Sequence, residues 1–171
     1  RVRSSAASDV YKRQKAYSPA IGDVVATSDQ EAGTVDIVFI MADGAKPGPE
    51  MINGLKGYLQ DKTIRPMTDL VNVSAPEEVP YTIGLTYYIN RSDSAKAVTI
   101  QAAVAQAVAD YQTWQRAIGR DINPSKLVAM VMEAGAKRVT VTAPTYTAVA
   151  ATKVSALQGE ATVTYGGLED D

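Results

Sequence analysis

Apolar residues in this chain recur at two periods, and the changes between them outline the elements. The longest helical period lies in "SAKAVTIQAAVAQAVADYQTWQRAI". There Ala97, Ile100, Val104, Ala107, Tyr111, Trp114 and Ile118 recur at spacings of 3 and 4, which puts them on one face of a helix from about Ser94 to Ala117. Lys96, Gln101, Gln106, Asp110 and Gln112 fall mostly on other faces. The length and the small alanines favour packing on a sheet over a coiled-coil seam. Asn90 to Ser94 reads as the preceding turn, with Ser92 or Asp93 as N-cap. Just upstream, "VPYTIGLTYYIN" has a period of two, so Tyr81, Ile83, Leu85, Tyr87 and Ile89 share one face of a strand.

The first half carries the same two signals. "TVDIVFIMADG" is β-branched and aromatic from Val35 to Met41, broken only by Asp36, and Asp43-Gly44 ends it as a turn. "KPGPEMINGLKGYLQDK" reads as a helix. Gly48 stands at the N-cap, and Pro49 at the first helical position, where its missing N–H costs nothing. Glu50 suits the positive helix end. Met51, Ile52, Leu55, Tyr58 and Leu59 form its apolar stripe. Gly54 and Gly57 weaken it by roughly 1 kcal/mol each against Ala, which close packing on a sheet would excuse. "RPMTDLVNVSAP" then reads as helix exit, tight turn and strand, closed by Pro76. "KAYSP" is expected as a short strand ended by Pro19, and Thr27 to Gly33 as a loop.

The second half closes with a shorter helix, "RDINPSKLVAMVMEAGA", with Asn123 as N-cap, Pro124 first and Gly135 as the stop. "KRVTVTAP" is a strand with Val139 and Val141 on one face. Thr145 to Ala156 reads as a loop with a weak strand, "EATVTYGG" as the last strand, and "LEDD" as an acidic end. The order is β-α-β, then β-α-α-β-β. The fold class expected is α+β, with two small α/β sandwich units, each a mixed or antiparallel sheet with helices on one face. The units fall at residues 15–78 and 79–171, divided near Pro76 to Pro80. "RVRSSAASDVYKRQ" differs in character from the rest and resembles translated adapter sequence. Residues 1–14 are therefore expected to be a disordered or non-native arm, and a start without methionine suggests a fragment or processed chain.

Composition narrows the chemistry. A net charge of −2 leaves no basic field for nucleic acid or an anionic membrane. The 171 residues include neither cysteine nor histidine. That removes disulfides, thiolate metal sites, thiol nucleophiles and the commonest general base. No apolar run approaches the roughly 18 residues that span a bilayer, and no apolar segment follows Arg1 and Arg3 as in a signal peptide. Neither a phosphate-binding loop nor a dinucleotide glycine pattern is present.

The remaining candidates have ordinary explanations. A serine nucleophile would need lysine as its base, yet Ser94 with Lys96 and Ser125 with Lys126 sit at helix starts, where capping accounts for them. Asp43, Glu50, Asp61, Asp69, Glu77 and Glu78 are candidate carboxylates, read as turn, helix-end and solvated positions. Glu169, Asp170 and Asp171 could hold a cation weakly, but a frayed, solvated end is the expectation. Arg65, Thr68 and Asp69 steer the chain into a strand, with an Arg65–Asp69 ion pair worth about 0–1 kcal/mol if exposed. Tyr87, Tyr88, Tyr111 and Trp114 have the rings for a stacking platform, but their spacing assigns most of them to a core or interface. No catalytic, cofactor-binding or metal-binding residue is assigned.

The succession "VDIVFIMADG…PGPEMINGLKGYL…IRPMTDLVNVSAPEEVPYTIGLTYYI", followed by "GRDINPSKLVAMVMEAGAKRVTVTAPTYTAVAATKVSALQGEATVTYGGLEDD", resembles the baseplate J-like proteins of contractile-tailed bacteriophages over residues 15–171. Its most specific parts are the "RP-x-TD" turn with its strand and "AP", and the "INPS…GA" helix leading into "VTVTAP". The resemblance implies the C-terminal part of a wedge subunit of the tail baseplate, a virion component made in the bacterial host cytoplasm. It implies a structural, non-enzymatic role without cofactors. The implied partners are other baseplate and tail proteins and further copies of the chain, with no nucleic acid, membrane or small-molecule substrate. The competing expectation is a small-molecule-binding regulatory module built from repeated β-α-β units, which would need a pocket between sheet and helix.

Overall fold

The computed structural model describes residues 16–29, 31–61 and 70–171. The described residues divide into two compact units, one of those up to Glu77 with Ala151–Lys153, the other of Glu78–Ala150 with Val154–Asp171. Both are α+β.

In the first unit, strands β1 (Ile21–Asp29), β2 (Thr34–Met41) and β3 (Leu70–Ser74) form a mixed sheet in the order β1-β2-β3. β2 is antiparallel to β1 and parallel to β3. Helix α1 (Pro49–Gln60) starts where the proline signal places it, behind Gly48. Its Leu55 and Leu59 are buried against Val35, Ile37 and Phe39 of β2 and Val71 of β3. Met51, Ile52 and Tyr58 pack around that core. Burying a side chain of this size contributes about 1.5–3 kcal/mol.

Two expectations for this unit are corrected. Ala16 and Tyr17 are helical and Pro19 lies in a turn, so no strand occupies 16–19. Tertiary packing decides it, because the Tyr17 ring lies 5.2 Å from that of Tyr58 and its hydroxyl fills the space over Gly54. Gly54 thus makes room for a tyrosine, while Gly57 faces open space. The second correction concerns Thr27 to Asp29, which belong to β1 and pair with Thr34, Val35 and Asp36. Their polarity suits an edge strand, and the hairpin turn begins only after Asp29, whose carboxylate accepts the N–H groups of Glu31 and Ala32. The "RPMTD" segment, with Arg65, Thr68 and Asp69, lies outside the described residues.

The second unit repeats the three-stranded arrangement around β5. The alternating segment from Tyr81 to Ile89 is two strands, β4 (Glu77–Tyr81) and β5 (Gly84–Asn90), because the chain changes sheets at Thr82-Ile83. Tyr81, Ile83, Leu85, Tyr87 and Ile89 nevertheless all enter one core. A 3-10 turn (Arg91–Lys96) follows, capped by Asn90 rather than Ser92 or Asp93, and runs into α2 (Ala97–Gln115). Helix α3 (Pro124–Glu133) begins with Asn123 accepting the N–H groups of Ser125 and Lys126. It ends before Gly135, whose φ of 111° an L side chain rarely adopts. A Cβ on Gly135 would sit 3.2 Å from Ile100, so the end of α3 lies beside the start of α2.

β6 (Arg138–Ala143), β7 (Lys153–Leu157) and β8 (Thr162–Glu169) complete the chain. β5 is the centre of the sheet β6-β5-β8, antiparallel to β6 and parallel to β8. β4 pairs with β7, so Lys153–Leu157 is a full strand where a loop with a weak strand was expected. The element order is β-β-α-β, then β-β-α-α-β-β-β, longer than the predicted order by β1, β7 and the split of β4 from β5. Val104 and Tyr111 of α2 and Leu127 and Val131 of α3 are fully buried beside the β5 residues. Ile118 lies beyond the helix and is buried through a bridge to Val154.

Candidate interaction surface

The polar residues singled out by pattern are mostly engaged locally. Asp43 accepts the N–H of Ala45 at 3.0 Å, closing its turn. Glu50 lies in the first turn of α1, and Asp61 is the residue that ends that helix. Glu77 and Glu78 are adjacent in sequence but turn to different bases, Glu77 to Lys153 at 2.8 Å and Glu78 to Arg116 at 2.7 Å. Ser94 and Lys96 are exposed in the 3-10 turn, and Ser125 and Lys126 give their backbone N–H groups to the Asn123 cap. Among the described residues no three Asp or Glu side chains gather as a metal site would require.

The four aromatic candidates separate. Tyr87 is in the core with its ring 5.6 Å from Tyr165, and Tyr111 is fully buried. Burial pushes the Tyr111 and Tyr81 phenols up to about 12. Trp114 is half-buried, with the Arg120 guanidinium 4.3 Å and the Lys126 ammonium 5.6 Å from its ring. These cations belong to the turn after α2 and the start of α3, so the indole fastens that corner. Tyr88 points to the other face of β5, where the Arg138 guanidinium lies 4.0 Å over its ring. A Cβ on Gly166 would collide with the same ring.

One polar node escaped the sequence pattern. Gln115, the last residue of α2, is fully buried. Its Nε2 donates to the Arg120 and Asp121 carbonyls at 3.3 and 3.0 Å, and its Oε1 accepts from Tyr111 Oη and the Asn123 N–H, each at 3.2 Å. Arg116 beside it donates to the Ser155 carbonyl at 2.6 Å as well as to Glu78. These bonds tie α2, α3, β4 and β7 together. The signal available in sequence is that Gln115 lies four residues after Tyr111, on the buried side of the helix. Asp121, in the same turn, accepts the Val149 N–H at 2.8 Å and the Tyr146 hydroxyl at 2.7 Å, and both hold its carboxyl below the usual range.

The acidic end is a correction. Glu169 belongs to β8, and all three terminal carboxylates have bases as partners. Between Arg138 at one end and Gly84 at the other, the outward face of the β6-β5-β8 sheet is lined with threonine. Thr86 sits between Thr140 and Thr164, and Thr142 and Thr162 extend the same face. All but the central Thr86 are exposed. An uncharged plane of hydroxyls offers hydrogen bonds and shape rather than a titrating group.

The chain is thus two α+β modules in tandem, the second fastened internally by the Gln115 and Arg116 bonds. The Baseplate J-like central domain matches residues 3–75, and the Baseplate J-like protein C-terminal domain matches residues 82–165. The chain belongs to the baseplate J-like family. The central-domain match begins at residue 3, inside the segment set aside on its composition. Baseplate protein J of Escherichia phage P2 is 27% identical over 124 residues, which is 72% of this chain. The chain spans 40% of the length of that relative. Among solved structures, the cryo-EM structure of the anti-feeding prophage baseplate, 6-fold symmetrised, contains a chain of similar fold, with a TM-score of 0.56 and 11% identity over 86% of this chain and 36% of that one.

Proposed function

We propose that this chain is a structural part of a phage-tail baseplate, a wedge component that works through protein–protein contacts. The observation that carries this reading is the tandem match, central domain followed by C-terminal domain, in the order of the two compact units. The shared fold with a chain of the anti-feeding prophage baseplate supports it. The partners are other baseplate and tail proteins and further copies of this chain, and the place of action is the virion tail. The role is geometric: stiff modules present surfaces to neighbours, and rearrangement of those contacts accompanies contraction.

Thermal unfolding of the chain against nucleotides, amino acids, sugars and divalent metals tests the reading. A ligand at 100 times its Kd stabilises by about 2.7 kcal/mol. The expected result is a cooperative melt that none of them shifts. A clear shift with one class would replace the scaffold reading with a ligand-binding module.

A further inference from the structure

Most cations of the second unit are matched by a carboxylate. Arg91, Arg116, Lys137, Arg138 and Lys153 each form an ion pair. Arg120 and Lys126 form none among the described residues, and both lie over one indole, that of Trp114. Asp121 follows Arg120 in the chain, but its carboxylate is taken up by the Val149 N–H and the Tyr146 hydroxyl. Arg120 Nη1 donates to the Trp114 carbonyl, which leaves its Nε and Nη2 without an acceptor among the described residues. Lys96, exposed and also without an acid, stands at the opposite end of α2.

The corner holds this shape before any partner arrives. Gln115, buried beneath the turn, donates from Nε2 to the Arg120 carbonyl and accepts the Asn123 N–H at Oε1. Gly119 bends the same turn with a φ of 71°. A guanidinium stacked on a ring keeps its donors in its own plane, directed past the ring edge. Both cations are already half-buried, so little side-chain freedom is left to lose on binding.

Charge decides what fits there. An apolar surface closing over the corner would bury two cations without partners, and a basic one would add repulsion. Nucleic acid requires a row of cations along its phosphates, which two cations on a chain of net charge −2 do not supply. A carboxylate side chain suits both groups, because the guanidinium edge takes it through paired N–H donors and the ammonium adds a second charge. Trp and Arg are also the residue types that concentrate binding energy at protein interfaces.

We propose that Trp114, Arg120 and Lys126 form a docking point for an acidic segment, rich in Asp or Glu, of a partner protein. The proposal rests on the reading of this chain as one that works through protein contacts. Trp114 is the only tryptophan and reports on the site directly. The full chain is titrated with a capped peptide of alternating glutamate and glycine, and with its glutamine counterpart, while Trp114 emission is followed. The expected result is a saturable change with the glutamate peptide, with a Kd on the order of 1 mM. In about 1 M salt the binding is lost, and the glutamine peptide gives no change. Arg120→Gln and Lys126→Gln each weaken binding by about tenfold, and Lys96→Gln leaves it unchanged. Lys126 touches only the indole with its side chain, so its variant keeps the test valid if Arg120→Gln loosens the turn. No response, an equal response to both peptides, or a response indifferent to Arg120 and Lys126 would overturn the proposal. Self-association that Lys126→Gln abolishes, with no response to the peptide, would give the corner to a second copy and overturn it as well. None of these outcomes decides where in a tail the chain sits, so the proposal can fail while the baseplate reading stands.

Discussion

Gln115 and Ser155, 40 residues apart in sequence, close the driest polar contact of the second unit. Ser155 Oγ donates to the Gln115 carbonyl at 2.9 Å, and Gln115 Nε2 lies 3.4 Å from Ser155 Oγ, with both residues almost fully buried. Buried polar groups stabilise only while their partners stay in place. Gln115→Leu strands the Arg120 and Asp121 carbonyls, the Asn123 N–H and the Tyr111 hydroxyl together. We expect it to destabilise the second unit by about 3 kcal/mol, and Ser155→Ala by about 1 kcal/mol, because Gln115 keeps its other bonds. Urea unfolding followed by fluorescence reads this unit selectively, because Trp114 is the only tryptophan. Equal effects of the two changes would contradict the assignment of Gln115 as the node.

Val104 is fully buried in the core that α2 shares with β5. Val104→Asp places a carboxylate there without a base, at a cost of more than about 4 kcal/mol. The second unit should be unfolded at room temperature by far-UV circular dichroism and by Trp114 emission. An unchanged melting temperature would refute the packing of α2 on the strand.

Gly54 and Gly57 predict different responses on one helix. Nothing lies within 4 Å of a Cβ on Gly57, so Gly57→Ala gains helix propensity and stabilises the first unit by about 0.5–1 kcal/mol. Gly54→Ala gains less, because its methyl evicts the Tyr17 hydroxyl and disturbs the Tyr17–Tyr58 contact. Calorimetric melting of the two variants gives the ranking. Gly54→Ala as the more stable of the two would remove Tyr17 from that position.

Stability should fall at both ends of the pH scale for separate reasons. Hydrogen bonds from Arg138 hold the Glu169 carboxyl below its ordinary value, and those from Asn90 and Lys137 do the same for Asp171. A lowered carboxylate pKa adds stability that is present above the unfolded value near 4 and is lost as pH falls through the folded one. Replacing Arg138 by Ala should therefore flatten the acid limb. The buried phenols of Tyr81 and Tyr111, pushed up to about 12, act in the opposite sense. Their contribution is complete below the unfolded value near 10 and is lost as pH rises through about 12. Phenolate absorbance and Trp114 emission, recorded together, should change in one cooperative step. Ionisation of both tyrosines near 10 with the fold intact would contradict their burial.

Elements with local punctuation were legible in the sequence. Gly48-Pro49, Asn123-Pro124 and Gly135 set helix ends through backbone chemistry that needs no distant partner. The alternation from Tyr81 to Ile89 named five core residues even though the strand is broken, because the side chains keep to the same core across the break. Distant pairing was not legible. Thr27 to Asp29 become strand through β2, and Lys153 to Leu157 through β4. Gln115 carried no apolar signal, and "LEDD" read as solvent-facing because its bases lie 31 to 79 residues away. The order and spacing of motifs across the chain carried the family resemblance, whereas the polar contacts depend on which turns the fold brings together.

The proposed place of this chain in a tail baseplate can be seen by antibody against it, gold labelling and electron microscopy of contractile-tail particles purified from cells that express it. Gold confined to the baseplate end of the tail is the expected result. Unlabelled particles, with the chain recovered only in the unassembled fraction, would contradict it.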